Sequence, residues 1–141
     1  DSITYTITSP ARMLVFVAGT YPVQSFSNGA SNSGMESSLQ DMAFTKTMDQ
    51  NSIAFHRAVV GSSDLNSMVI EFKVYDPGAS TPYYSVKLTG GEISSFQTGI
   101  SNTDMVLYES ITIIPTIFGY KNWTHNQSFA YNIATSQFVA Y

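Results

Sequence analysis

Apolar residues recur at every second position in segment after segment of this chain, and clusters of Gly, Pro, Asn and Ser separate the segments. A period of two fits a strand with one buried and one wet face, and it cannot form the buried stripe of a helix. The chain therefore reads as all-β, a small antiparallel barrel or sandwich. Ile3, Tyr5 and Ile7 alternate with Ser and Thr until Pro10, and a second strand is expected over Met13 to Val17 before Gly19 and Pro22 break the chain. Val23 to Phe26 extends again. Asn28 to Gly34 (NGASNSG) holds no apolar side chain larger than alanine and reads as a flexible loop. Met42, Phe44 and Met48 mark one face of a strand over residues 38–48.

Residues 51–60 (NSIAFHRAVV) are the one helix, flanking the β structure: Asn51 can cap it, Ala54 with Ala58 and Phe55 with Val59 recur at i+4, and Gly61 can close it. Beyond it, Met68 to Tyr75, a DPGASTP turn and Tyr83 to Leu88 read as a hairpin, followed by extended segments over Ile93 to Thr98 and Val106 to Tyr120. Phe129, Tyr131 and Ile133 alternate in a terminal strand, and Phe138 to Tyr141 adds a short last piece. There is no internal repeat, and 141 residues suit one domain, with residues 1–10 an N-terminal extension strand.

Composition removes several function classes. The chain has no cysteine, so a zinc ribbon, an iron–sulfur cluster, a redox dithiol and a cysteine nucleophile are all excluded. Six basic against ten acidic residues, with no basic run, leave nucleic acid without its electrostatic footprint. The longest apolar stretch, Met13 to Ala18, is too short to insert across a bilayer. A start at Asp1, weak charge and many Ser, Thr, Asn and Tyr suggest an exported, processed chain with extensive protein contacts. Catalysis finds little support. His56 and His125 are the only histidines, no serine stands in a G-x-S-x-G elbow, and solvation on a polar strand face or pairing with Lys46, Lys73 or Lys87 accounts for Glu71, Glu92 and Glu109. No cofactor or metal is expected.

The ordered blocks Pro22–Gly34, Ser38–Ser52, Met68–Gly78, Tyr83–Gly99 and Tyr108–Tyr120 resemble the haemolysin-coregulated protein family, the inner-tube subunit of type VI secretion. Leu39-Gln40-Asp41 followed by Phe44-Thr45-Lys46 and Asp49 is similar to that family's strand entering its helix. Ser94-Ser95 with Thr98-Gly99, Glu109-Ser110, and Phe129 to Ser136 are similar to later strands. Two departures stand out: Asp1 to Ser9 is an added segment, and Gly61 to Asp64 replaces a basic junction.

The resemblance implies a non-enzymatic subunit that forms six-membered rings stacked into a hollow tube, either in a secretion machine or as an extracellular filament. Its partners would be itself and secreted effectors or a sheath. Two interface segments follow: Asn28, Gly29, Ala30, Ser31, Asn32, Ser33 and Gly34 with Met35 and Glu36 as a protrusion to the next ring, and Ser2, Ile3, Thr4, Tyr5, Thr6, Ile7 and Thr8 as a strand added to a neighbour or an edge strand of the same barrel. Removal of residues 1–9 is then expected to leave the barrel folded. The alternative is a secreted β-sandwich that binds carbohydrate or a cell surface through Tyr83, Tyr84, Tyr108, Tyr120 and Trp123. Asn122 and Asn126 each open an N-glycosylation acceptor pattern, which places their loop at the surface.

Overall fold

The computed structural model describes residues 2–8, 16–33, 36–61, 64–65 and 68–141, with residues 29–33 and 36–41 described by their backbone. Eleven strands and one helix follow in the order β1 (Ser2–Thr8), β2 (Gly19–Val23), β3 (Ser25–Ser33), β4 (Glu36–Thr47), α1 (Ser52–Val60), β5 (Val69–Tyr75), β6 (Tyr84–Thr89), β7 (Glu92–Ile100), β8 (Leu107–Ile114), β9 (Ile117–Asn122), β10 (Gln127–Asn132) and β11 (Gln137–Val139). They form a seven-stranded sheet, β11-β10-β9-β6-β5-β1-β2, and a four-stranded sheet, β3-β4-β8-β7. Every pairing is antiparallel. The alternating apolar faces meet between the sheets. Phe44 of β4 lies 4.9 Å from Phe72 of β5 and 5.7 Å from Tyr5 of β1, ring centre to ring centre, and Phe55 of the helix closes on both Tyr5 and Phe44.

Four expectations are corrected. β1 is neither an extension nor an edge strand: it pairs with β2 on one side and β5 on the other, and it buries Tyr5 and Ile7 in the core. Asn28 to Gly34 is not a loop, because β3 carries its ladder with β4 out to Ser33 opposite Glu36; Gly34 lies outside the described residues. The second strand runs over Gly19–Val23, with the expected Met13 to Val15 outside the described residues. Proline is tolerated in it because β2 is an edge of its sheet, where a missing N–H faces no ladder partner. Finally, Val106 to Tyr120 is two strands in different sheets. Pro115 breaks the run, and Gly91 (φ +89°) packs against this corner so closely that a Cβ there would lie 2.0 Å from the Ile114 carbonyl oxygen.

The two sheets and the helix are joined by a buried polar network where β4 runs into α1. Lys46 on β4 faces Glu109 on β8 across the ladder, and its ammonium meets the carboxylate at 2.5 Å with both side chains buried. Ser52 donates to the same Glu109 oxygen (2.9 Å), accepts from Lys46 (3.2 Å) and accepts from the Asp49 backbone N–H (2.9 Å). Asp49 in turn pairs with Lys46 at 3.2 Å and accepts the Tyr5 hydroxyl proton at 2.5 Å, which carries the network into the other sheet. Asn51 does not cap the helix through its side chain. Its amide instead accepts from the Val17 N–H (2.7 Å) and donates to the Val17 carbonyl (3.2 Å), tying down the approach to β2.

Burial, aided by the Asp49 carboxylate, raises the Tyr5 phenol far above its ordinary pKa. The folded chain therefore keeps this proton when the unfolded chain releases it near pH 10, so the stabilisation is complete below pH 10 and is lost as pH rises above it. The expected slope of unfolding free energy above pH 10 is about 1.4 kcal/mol per pH unit from this one group, and Tyr5→Phe should flatten the curve by that amount in urea titrations. Lys46→Met, which leaves Glu109 buried without its cation, should cost about 3–5 kcal/mol, whereas Lys46→Met with Glu109→Leu should recover part of the loss. A chain lacking residues 1–8 should show no cooperative unfolding transition, since both neighbouring strands and the core lose their partner; a retained transition would refute this.

Candidate functional site

A chain that works by assembly has surfaces for a site, and sheet edges are the first to consider because they present unpaired backbone groups. Among the described residues the outermost strands are β2 and β11 in the larger sheet and β3 and β7 in the smaller one, with Asp64 bridging Glu92 at the start of β7. Within the smaller sheet the strands differ in length. β8 pairs with β4 over Met42 to Thr47, whereas β3 stays with β4 from Thr45 to Glu36. The pairs Gly29–Gln40, Ala30–Leu39, Ser31–Ser38, Asn32–Ser37 and Ser33–Glu36 therefore stand beyond the sheet as a two-stranded ribbon, about 17 Å long at 3.3–3.4 Å per residue. The register slips at Asn28, between Ser27 and Gly29, where Asp41 and Met42 oppose a single residue. Such a bulge bends and twists a strand where the ribbon leaves the body.

The two segments singled out as interface do not meet. Ser2, Ile3, Thr4, Tyr5, Thr6, Ile7 and Thr8 sit inside the seven-stranded sheet, all paired with β5 and Ile3 to Ile7 paired with β2 as well, so those five offer no edge to a neighbour. Gly29 to Ser33 and Glu36 sit in the ribbon of the other sheet, and Met35 lies outside the described residues.

An aromatic surface at the β9–β11 end escaped the sequence reading. Phe118, Tyr120, Phe129, Tyr131 and Phe138 share the face that continues the core, with ring centres 5.1–6.3 Å apart. Phe129 and Phe138 are nevertheless exposed. The signal was present in the alternation of Phe129 and Tyr131 and in the lone Phe138, but only the strand order shows that, among the described residues, no second sheet covers them. On the opposite face Tyr141 lies flat over Gly119, whose missing side chain makes room for the ring. Its hydroxyl contacts Ser85 (2.6 Å) and Glu71 (2.7 Å), and Lys87 donates to its carbonyl (2.7 Å). Burial and the Glu71 carboxylate raise this phenol's pKa as well.

The aromatic residues proposed as a sugar platform are divided between faces. Tyr84 and Tyr120 stack on the core-side face, where burial raises both phenols. Trp123 instead donates to Ser85 on the outer face and carries the Lys121 ammonium 3.8 Å from its ring, while Tyr108 donates to Asp104. Glu71 meets Lys73 at 3.7 Å and Glu109 meets Lys46, as the charge pattern suggested. His56 stacks on Phe96, and the His125 N–H donates to the Asn122 side chain. Asn122 ends β9 and Asn126 (φ +52°) sits in the exposed β9–β10 turn. Among the described residues no three His, Cys, Asp or Glu side chains gather as metal ligands, and no helix is long and apolar enough to cross a membrane.

The architecture has close structural counterparts. Hcp1 from Salmonella typhimurium superposes with a TM-score of 0.77 at 11% identity, covering 98% of this chain and 99% of that one. A type VI secretion system effector from Yersinia pestis superposes at 0.74 with 15% identity over 93% and 99% of the two chains. The secreted protein Hcp3 from Pseudomonas aeruginosa superposes at 0.68 with 13% identity over 93% and 97%. At these identities the likeness establishes the fold. No curated protein matches the chain by sequence. The family described as "Type VI secretion system effector, Hcp" matches residues 17–125, most of the sequence, from the approach to β2 through to the β9–β10 turn, and the chain accordingly belongs to the Hcp family.

Proposed function

We propose that this chain is a structural, non-enzymatic subunit that associates with copies of itself into rings and that the rings stack into a hollow tube or filament. The observation that carries this reading is membership of the Hcp family, whose match over residues 17–125 takes in β2 through β9. Two surfaces give it a physical basis. The exposed aromatic face of β9–β11 is an apolar patch of the kind that a repeated lateral contact covers, and a head-to-tail contact closes into a ring when its angle permits. The β3–β4 ribbon, with Gly29 to Ser33 and Glu36, stands clear of the sheet and serves the axial contact between rings. Secreted effectors or a surrounding sheath are the further partners of such a tube, and its place is in or beyond a bacterial secretion apparatus.

Negative-stain imaging with light scattering of the purified chain tests the reading. Rings or tubes are expected, and a monomer at every concentration would overturn it. Removing Gly29 to Gln40 and closing the hairpin at Asn28 and Asp41 should leave the core intact by circular dichroism while abolishing tubes, because all five ribbon pairs lie outside the body of the sheet.

A further inference from the structure

The strand that carries the outermost aromatic residue has little of its own to hold it. β11 is three residues long and pairs, among the described strands, with β10 alone, through Gln137–Asn132, Phe138–Tyr131 and Val139–Ala130. All three of its residues are exposed. The turn leading into it keeps Ser136 at φ +57°, a left-handed conformation that costs a non-glycine residue free energy. An edge strand this short frays readily. Yet β11 sets Phe138, 73% exposed, against Tyr131 (5.1 Å) and Phe129 (6.1 Å), completing the aromatic face.

What holds β11 lies on the opposite face of its sheet. There one rung runs through Val139, Ala130, Gly119, Lys87 and Glu71, across five strands. Alanine and glycine make the middle of that rung a trough between longer side chains. Tyr141 lies in it, so close that a Cβ on Gly119 would stand 2.8 Å from its aromatic ring. Its hydroxyl donates to Glu71 on β5 (2.7 Å) and accepts from Ser85 on β6 (2.6 Å), whose oxygen also accepts from Trp123 (2.9 Å). Lys87 donates to the Tyr141 carbonyl (2.7 Å) and holds its ammonium 4.2 Å from the centre of the aromatic ring. Ser85 and Ala130 point away from the other sheet, yet they are only 0% and 3% exposed. A built seat for one phenol thus joins the chain just past β11 to strands in the middle of the sheet.

We propose that Tyr141 is the clamp that fixes β11 and thereby presents Phe138 for the contact between copies of this chain. The inference rests on the reading of the β9–β11 aromatic face as that contact, and it names the residue that keeps the face in shape. β11 is gripped on both faces, by Phe138 in the aromatic row on one and by Tyr141 reaching across to β5 on the other. Without the clamp, three ladder pairs remain to hold the strand. Release leaves β10 as the sheet edge and turns Phe138 away from Phe129 and Tyr131, so the contact loses its outermost aromatic ring. Strands β5, β6 and β9 keep their own ladders, and the body of the fold is unaffected. Tyr141 is therefore a positioning residue for assembly.

Hydrogen exchange followed amide by amide, together with light scattering, tests both halves. In Tyr141→Ala the β11 amides should exchange roughly tenfold faster or more, while those of β5 and β6 exchange as in the parent. Gly119→Ala should do the same with Tyr141 still present, because the added methyl takes the place of the phenol ring. Tyr141→Phe, which keeps the aromatic ring and loses the bonds to Glu71 and Ser85, should fall between. The protein concentration needed for subunit rings should rise roughly tenfold or more in Tyr141→Ala and Gly119→Ala, with the circular dichroism spectrum unchanged. β11 amides that exchange at the parent rate in Tyr141→Ala, or rings that form at the parent concentration despite a frayed β11, would overturn this inference and leave the tube reading standing. A parent chain that forms no rings would overturn the tube reading and the assembly role of Tyr141 with it, whereas exchange at β11 would still decide whether the clamp exists.

Discussion

The rest of the structure depends on the buried contact between Lys46 and Glu109. A lysine and a glutamate removed from water are stable only when each finds partners, and here Ser52, Asp49 and Tyr5 complete the set. Because those partners come from β4, β8, the helix entry and β1, satisfying the charges forces four elements into one arrangement. A purely apolar junction would tolerate a slip of the β4–β8 register more readily than a pair whose misalignment strands two buried charges. That register determines how far β4 overhangs β8, and hence how much ribbon leaves the body. The buried pair therefore acts on assembly by setting the geometry of the projecting hairpin.

The surfaces left uncovered follow a common physical pattern. Strand alternation produces core-facing residues along the whole length of each strand, but the opposing sheet and the helix cover only part of each face. Phe129 and Phe138 at the β11 end of the larger sheet, and Met48 and Ile100 at one end of the smaller, are core-patterned side chains left exposed among the described residues. Association with further copies buries such surface without altering the fold, which is how a small subunit gains a polymer contact without a dedicated appendage.

Much of the architecture was legible in the sequence because it rests on local periodicity. The helix over residues 51–60, the β5–β6 hairpin across its DPG turn, and the alternating Phe129 and Tyr131 all appear where their patterns place them. The errors share a cause. Asn28 to Gly34 carries no apolar alternation, yet its backbone pairs with β4, because a ladder needs only N–H and C=O groups and a partner in register. Residues 2–8 showed their strand character plainly, but nothing local in a strand says how many neighbours it has. Asn51 looked like a cap and became a brace for Val17, a partner distant in sequence.

The sequence by itself determined that this chain is an antiparallel β protein with one helix, without thiol chemistry or a basic surface, and its ordered blocks carried the resemblance to the Hcp family. Those properties are written in residue types and short-range spacing. Only the tertiary structure decided that β1 lies inside a sheet, that Pro115 sends β8 and β9 into different sheets, that Lys46 meets Glu109, and that apolar rungs remain open at the ends. Each depends on strand order and register, which are set by contacts between residues far apart in the chain, and no local pattern records how those contacts are shared out.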